Sequence, residues 1–489
     1  MQVRQLLVGV ETISSWGNLD VEVSDIIYDS RKVVPGVAFV ALKGARSDGH
    51  QYIGEVIKKG AVVVFVEDEI NIVSNIPVIR MKDTRVGLAQ LSANYFGQPA
   101  TKLTTIGITG TKGKTTTSWM IKSILESAGK KVGVIGTMGV FIGAKHYATN
   151  NTTPESYDIH KYLKEMEEAG VEYAVMEVSS QALKMNRTAG IQFDYAIFTN
   201  LTRDHIGPDE HASMEEYIFC KSLLFQQSRH GIFNIDDAHF SEMIKQGTST
   251  ICTYGTAQKA DVRLQDLSYA QENGNLGVRV KLQGLLDDSV FVSIPGDFSA
   301  YNAMAAITVA KLLGIEDSNI KKALADVKVK GRVEPVKVSD KFTVLIDYAH
   351  NGISMESVLQ MIQEYRPKRI VSLFGCGGNR SRERRYDMGE ISGRMADYSI
   401  ITADNSRFED VNDIITDIVE GMSKTSGKYI TIPDRKDAIK YSIRNALTGD
   451  VILILGKGHE DYQEINGVRF PFDERVVIGE IVKELALEN

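Results

Sequence analysis

Apolar residues along this chain fall in short unbroken runs more often than in alternation. AVVVFVED (61–68), TTIGITG (104–110), KKVGVIGT (130–137), VEYAVMEV (171–178) and FDYAIFTNL (193–201) each predict a strand buried on both faces. VPGVAFVAL (34–42) predicts another, entered through a Pro-Gly turn. Between these runs, TTTSWMIKSILESAG (115–129) carries helical periodicity, and FSAYNAMAAITVAKLLG (298–314) reads as a later helix ended by Gly314. The alternation restarts with FTVLIDYAH (342–350), ISMESVLQMIQEY (353–365), KRIVSLFG (368–375), YSIITADN (398–405) and VILILGKGHE (451–460). Strand alternating with helix argues an α/β fold of parallel sheets covered by helices. Polar connections at FGQPATKL (96–103) and VKVKGRVEPV (327–336) place domain boundaries, giving expected domains of 1–97, 98–330 and 331–489.

With 489 residues the chain is too long for one core. A net charge of −7 disfavours a large nucleic-acid surface. Cys220, Cys252 and Cys376 form no disulfide framework, which suits a reducing cytoplasm. The opening MQVRQLLVGV lacks the long apolar region and small-residue cleavage site of a secretory leader, and no apolar run approaches the roughly 20 residues of a membrane span.

Chemistry concentrates at strand ends. GITGTKGKTT (107–116) joins a strand to a helix, and Gly110 and Gly113 let backbone amides turn toward a polyphosphate. Lys114 would reach the outer phosphates and the Thr115 hydroxyl a Mg²⁺ ion. Ile108 stands where a standard phosphate loop has glycine, so a chance Gly-rich turn is the bland alternative. Glu177 and His205 end the next two strands on the same edge, where a carboxylate suits a hard cation. Lys221 sits among apolar residues in YIFCKSLLF (217–225). It either snorkels to water or is buried with a lowered pKa. FGCGGNRSRERR (374–385) fails the dinucleotide spacing, which leaves its arginines as a solvated face or an anion site. Arg407, in DNSR (404–407), exceeds what turn chemistry needs.

Taken in order, DSRKVVPGVAFVALKGARSDGHQYI, GITGTKGKTT, NTTPES, MEVSS, FTNLTRDH, CKSLLF, GRVEPV, IDYAH, FGCGG, DNSR and GKGHEDYQ resemble the Mur ligases of bacterial peptidoglycan synthesis over essentially the whole chain. Within that family the likeness is to members that add the third residue to UDP-N-acetylmuramoyl-L-alanyl-D-glutamate. The resemblance implies an N-terminal uridine-binding α/β domain, a central P-loop ATPase-like parallel sheet and a C-terminal Rossmann-like domain. It implies ATP and Mg²⁺, a UDP-N-acetylmuramoyl dipeptide and a diamino acid, and a cytoplasmic monomer with no membrane insertion and no nucleic acid. By the resemblance, Tyr28, Ser30, Ala45, Arg46 and Ser47 lie at the UDP moiety, and Asn151, Thr152, Thr153, Ser179 and Arg187 hold the sugar–dipeptide. Gly110, Thr111, Lys112, Gly113, Lys114, Thr115 and Thr116, with Asn302 and Arg332, bind ATP, and Asp347 and His350 stand beside the phosphates. Thr115, Glu177, His205 and Lys221, carbamylated to N6-carboxylysine, ligate metal. Arg385, Asp404, Asn405, Ser406, Arg407, Gly456 and Glu460 receive the amino acid, with Arg407 pairing a distal carboxylate of meso-diaminopimelate.

The expected chemistry is phosphorylation of the glutamate side-chain carboxylate by ATP, then attack by the amine on the acyl phosphate. The chain departs from the family pattern at Lys112, Gln181, the stretch IGPDEHAS (206–213), Ser299, Asn379 and Ser406. Those departures motivate an alternative, a paralogue adding another amino acid such as L-lysine. A non-catalytic nucleotide-binding protein is the alternative outside the enzyme class, and a motor or transport ATPase lacks its acidic pair here.

Overall fold

The computed structural model describes residues 1–489 apart from 45–46, 71–74, 205, 208–209, 246, 248–249, 273 and 488–489. Ala45, Arg46 and His205 therefore lie outside the described residues. The chain forms two compact units, Met1–Arg263 with Gly284–Leu286 and Met304–Ile320, and Leu264–Gln283 with Asp287–Ala303 and Lys321–Asn489.

The first unit holds two sheets. In the N-terminal one, Thr12–Trp16, Val78–Met81, Val63–Val66, Ala38–Val40 and Ile26–Ile27 pair in that spatial order. The strand expected over 34–42 is only Ala38–Val40, because Pro35 and Gly36 (φ +92°) make the turn that enters it. In the second sheet, Thr104–Thr109 lies centrally, flanked by parallel Tyr173–Glu177 and Phe193–Phe198. Ser228–Asn234 and Thr250–Gly255 extend it in parallel on one side, and Val132–Gly136 on the other. Its strands are buried nearly throughout, as continuous apolar runs require. The carboxyl ends of the three central strands lie side by side, where open α/β sheets place ligands.

Within the second unit, Asn275–Gly284 pairs antiparallel with Ser289–Val292. In the second unit, Glu334–Val336, Thr343–Asp347, Asp450–Leu455, Arg369–Phe374, Tyr398–Ile401 and Tyr429–Thr431 form a six-stranded sheet, parallel except at its first pair. Apolar clusters built on Leu345, Phe374 and Leu453, and on Ile346, Leu373 and Ile454, cover its two faces. Helix Asp297–Leu312 matches the expected 298–314, with Gly314 at φ +74° just beyond it. Among the described residues no helix is long and apolar enough to cross a membrane. The fold is mixed α/β with several parallel sheets, as the run pattern implies.

Candidate functional site

In the first unit, Gly110–Thr115 links the central strand to helix Lys114–Ser127. Gly110 has φ +150°, and a Cβ there would fall 1.9 Å from Thr199 Oγ1. The loop is clamped from the neighbouring strand end. Thr111 N donates to Asn200 O (2.9 Å), Lys112 N to Asn200 Oδ1 (3.0 Å), and Asn200 Nδ2 and Thr199 Oγ1 both donate to Lys112 O (3.0 and 2.7 Å). Lys114 Nζ bridges the carbonyls of Gly110 (2.7 Å) and Thr111 (3.1 Å), lying across the loop at the start of the helix. Thr115 and Thr116 are buried.

Lys221 does not snorkel. It is 1 % exposed, donates to Gly110 O at 2.8 Å and lies 4.6 Å from the Tyr217 ring centroid. Burial first, and the Lys114 charge second, hold its pKa well below the usual lysine range.

Glu177 closes its strand with its carboxylate buried. Its Oε2 accepts from Thr115 Oγ1 and Thr137 Oγ1, both at 2.9 Å, and its Oε1 from Thr137 N at 3.1 Å. Gly136 makes room, since a Cβ there would meet Glu177 Oε1 at 2.2 Å. Thr137 Oγ1 also meets Thr152 Oγ1 at 3.1 Å. Thr153 ties the same strand end to the next helix, donating to Glu177 O (2.9 Å) and accepting from Ser179 N (3.0 Å). Arg187 donates to Thr153 O at 3.0 Å and approaches Glu155 at 3.5 Å, and Asn151 is exposed. So Glu177, Thr152, Thr153, Ser179 and Arg187 form one polar strip beside the phosphate loop.

That strip continues to the N-terminal sheet. Arg85 approaches Glu155 at 3.4 Å, and Asn186 donates to Asp83 at 3.1 Å. Tyr28 donates to Asp158 and Tyr157 to Asp25, each at 2.6 Å. Ser30 opens a short helical turn whose Ser30 carbonyl accepts from Lys59 (3.0 Å), and Ser47 is exposed.

In the second unit, Asp347 ends its strand and caps two backbone amides, Val333 N and Ala349 N, each at 2.8 Å. Burial pushes its carboxyl pKa up against the opposing pull of Arg332. Arg332 stacks over Tyr348 with its Cζ 5.3 Å from the ring centroid, His350 Nδ1 meets Tyr348 O at 2.9 Å, and Asn302 is buried.

A second polar cluster forms where Tyr398–Ile401 and Asp450–Leu455 end. Asn405 Nδ2 donates to Glu460 Oε2 (2.8 Å), and Asn405 Oδ1 accepts from Lys457 Nζ (3.1 Å) and Glu464 N (3.0 Å). Lys457, absent from the sequence-derived set, is fully buried between Asn405, Glu460 (3.2 Å) and Asp404 (3.8 Å). Gly456 (φ +113°) has no room for a side chain, because a Cβ would meet Asp404 Oδ2 at 2.6 Å. Arg407 stands at φ +52°, with Nη1 on Gly378 O (2.6 Å) and Nε 3.9 Å from Glu464 Oε2. Ser406 is buried, and Asn379, itself at φ +54°, accepts from Phe408 N (3.2 Å) and so ties the glycine-rich turn to the Arg407 loop. Arg385 is not on a solvated face. It is 2 % exposed, bound by Asp417 (2.9 Å) and Glu409 (2.8 Å), and its Nε has no hydrogen-bond partner among the described residues.

Thr199, Asn200, Thr137, Lys457 and Glu409 join these sites without having been singled out by the sequence. Thr199 and Asn200 lie within FTNLTRDH and Lys457 within GKGHEDYQ, so membership of a motif was the available signal.

Three family models match the chain: the catalytic domain of the Mur ligase family over residues 22–95, the Mur ligase middle domain over 108–310, and the Mur ligase glutamate ligase domain over 331–458. The chain is 42% identical over 487 residues to the UDP-N-acetylmuramoyl-L-alanyl-D-glutamate–2,6-diaminopimelate ligase of Caldanaerobacter subterraneus subsp. tengcongensis, covering 99% of each. It is 41% identical over 490 residues to the enzyme of the same name from Clostridium perfringens, covering 99% of this chain and 100% of that one. Among solved structures, a UDP-N-acetylmuramoyl-L-alanyl-D-glutamate–2,6-diaminopimelate ligase aligns with a TM-score of 0.75 at 29% identity, covering 99% of both chains. MurF from Acinetobacter baumannii shares the fold, with a TM-score of 0.64 at 20% identity over 99% of this chain and 98% of that one.

Proposed function

Because the chain belongs to the Mur ligase family, we propose that it is a MurE-type enzyme joining meso-diaminopimelate to UDP-N-acetylmuramoyl-L-alanyl-D-glutamate at the expense of ATP, in peptidoglycan precursor synthesis. The observation that carries this reading is the full-length identity above 40% to relatives of that name. In this reading residues 1–97 take the uridine end, 98–330 the nucleotide and 331–489 the incoming amino acid.

The clamped loop Gly110–Thr116 and Lys114 hold the polyphosphate, through helix-start amides and an ammonium group already drawn across the loop. Thr115 Oγ1 and the Glu177 carboxylate are buried oxygen donors 2.9 Å apart, a set that fits Mg²⁺. Bound there with His205, Mg²⁺ would offset the negative charge of the nucleotide phosphates. Lys221, held toward its neutral form, is suited to capture CO₂ as a carbamate and offer a further carboxylate. Thr152, Thr153, Ser179 and Arg187 hold the dipeptide so that its glutamate carboxylate is activated as an acyl phosphate. Asn302, Arg332, Asp347 and His350 complete the nucleotide contacts.

For the amino acid, Arg407 offers a guanidinium to the distal carboxylate, and Asn405 and Glu460 offer an amide and a carboxylate to the distal amine. Arg385, held by Glu409 and Asp417, lines the acceptor end in this reading. An amino-acid panel, scored by ADP release with the UDP-dipeptide, tests the assignment. Turnover with meso-diaminopimelate is expected. Robust turnover with L-lysine and none with diaminopimelate would overturn the acceptor. No ATP consumption with any amino acid would overturn the enzyme.

A further inference from the structure

The second unit carries a recess at the amino ends of its sheet strands, opposite the edge that holds Asp347, Asp404 and Gly456. Thr343, Lys368 and Asp450, at the starts of three adjacent strands, line it. Those strands are short, so roughly 15 Å separate the recess from the other edge. Its volume is about 370 Å³, within the range of small-molecule pockets. Five basic and two acidic side chains line it, in a chain of net charge −7. Both acids are already matched, Asp340 by Lys337 and Asp450 by Arg369 at 2.6 Å. Lys328, Lys341, Arg366 and Lys368 are exposed and have no acidic partner among the described residues. They come from separate segments of chain, so the fold, and not one helix face or one basic run, gathers them. Like charges held together repel, and a bound anion would relieve that.

The backbone around these cations is specifically shaped. Arg366 stands at φ +48° just beyond helix Gly352–Gln363, its N–H donating to Gln363 O at 2.9 Å. Glycine is the usual occupant of that conformation, and Pro367 restricts the residue before it further. Glycine would serve the fold better there, yet the position carries a guanidinium. Gly449 (φ +93°) lies under the Lys368 side chain, since a Cβ there would meet Lys368 Cδ at 2.8 Å. Gly449 N donates to Lys341 O (2.8 Å) and Lys368 N donates to Gly449 O (3.1 Å), which ties both lysine segments to one turn. Leu276, Phe342 and Val344 give the recess an apolar surface. Tyr365 Oη donates to Gly277 O at 2.8 Å and fixes the Leu276 wall against the sheet.

We propose that this recess binds a phosphorylated organic molecule, separately from the nucleotide and acceptor sites. Lys341, Arg366 and Lys368, with Lys328, take the phosphate dianion, and Leu276 and Phe342 take the organic body. A guanidinium among ammonium groups matches phosphate oxygens in both charge and geometry. The apolar surface adds affinity that a bare anion does not collect. The assignment does not depend on which amino acid the chain joins.

Two probes test it, 1-naphthyl phosphate and inorganic phosphate, titrated by calorimetry into the full chain in metal-free buffer of low salt. About one equivalent of 1-naphthyl phosphate should bind, about tenfold or more tighter than inorganic phosphate, and added NaCl should weaken it. The double variant Lys341→Ala/Lys368→Ala should weaken binding about tenfold or more with its unfolding midpoint unchanged. Arg366→Gly, which relieves the backbone, should weaken binding severalfold without lowering the midpoint. Lys114→Ala should leave binding intact. Binding lost in Lys114→Ala would place the probe at the phosphate loop and overturn the site. So would no binding to the wild-type chain, an affinity unchanged in the double variant or in Arg366→Gly, or equal affinity for the two probes.

Discussion

Lys114 and Lys221 share one acceptor: both ammonium groups donate to the Gly110 carbonyl, at 2.7 and 2.8 Å. Two cations so close disfavour each other's charge, and Lys221 is the one sealed from water. In the proposed mechanism the pair would divide labour, with Lys114 kept for charge and Lys221 for capture of CO₂.

Lys221→Ala is expected to reduce turnover to near background, with partial recovery in short carboxylic acids such as acetate. The acid would supply the carboxylate that a carbamate places there. Steady-state ADP release with and without acid is the measurement. Full activity without any acid would remove the carbamate from the mechanism.

Arg407→Ala is expected to raise KM for diaminopimelate while leaving KM for the UDP-dipeptide unchanged. The Arg407 side chain is 23% exposed, so the lower end of the usual range applies. That is about 2 kcal/mol, or roughly 30-fold in KM. Equal KM values in variant and wild type would refute its contact with the acceptor.

Lys457→Met is expected to destabilise the folded chain by about 3 kcal/mol, because it strips the cation from buried Asp404 and half-buried Glu460. The midpoint of guanidinium unfolding reads this directly. A midpoint shift near zero would mean that Lys457 does not balance those carboxylates.

His160 is buried in helix Ser156–Glu168, and neither ring nitrogen has a hydrogen-bond partner among the described residues. Burial pushes its pKa down to about 4. The unfolded chain takes up this proton near pH 6.5 and the folded chain does not. Stability from His160 is thus complete above pH 6.5 and is lost as pH falls toward 4, by up to about 3 kcal/mol. His459, also held at about 4 by burial and the nearby Arg332, Lys330 and Arg475, adds a slope of the same sign. His160→Leu should flatten the fall between pH 6.5 and 4 without loss of stability at pH 7. An unchanged pH profile would show that folding does not shift the titration of His160.

Much of this arrangement is legible in the sequence for identifiable reasons. A buried run that stops on a carboxylate marks a sheet edge, and Glu177, Asp347 and Asp404 all stand at such stops. Lys221 is conspicuous because an ammonium amid YIFC and SLLF has no apolar purpose. The helix over 298–314 shows because its periodicity ends on a glycine. What stays hidden is pairing between distant pieces. Asn200 clamps Lys112 across 88 residues, and Lys457 reaches Asn405 across 52, with no local pattern in either. The arginines after Gly378 read equally as a solvated face or an anion site, and only the position of Asp417 and Glu409 decides that Arg385 is enclosed. Strands such as Val262–Glu272, with mostly exposed and intermediate positions, lack the apolar run that betrays the central ones.

The enclosure of two lysines has a further consequence for covalent labelling. Lys221 and Lys457 are 1 % and 0 % exposed, while other lysines such as Lys337 and Lys341 stand in solvent. An amine-reactive ester applied briefly to the folded chain should acylate the surface lysines and spare these two. Peptides carrying unmodified Lys221 and Lys457 would then serve as an internal gauge of folding, one for each unit, and each should gain its label only when its own unit opens.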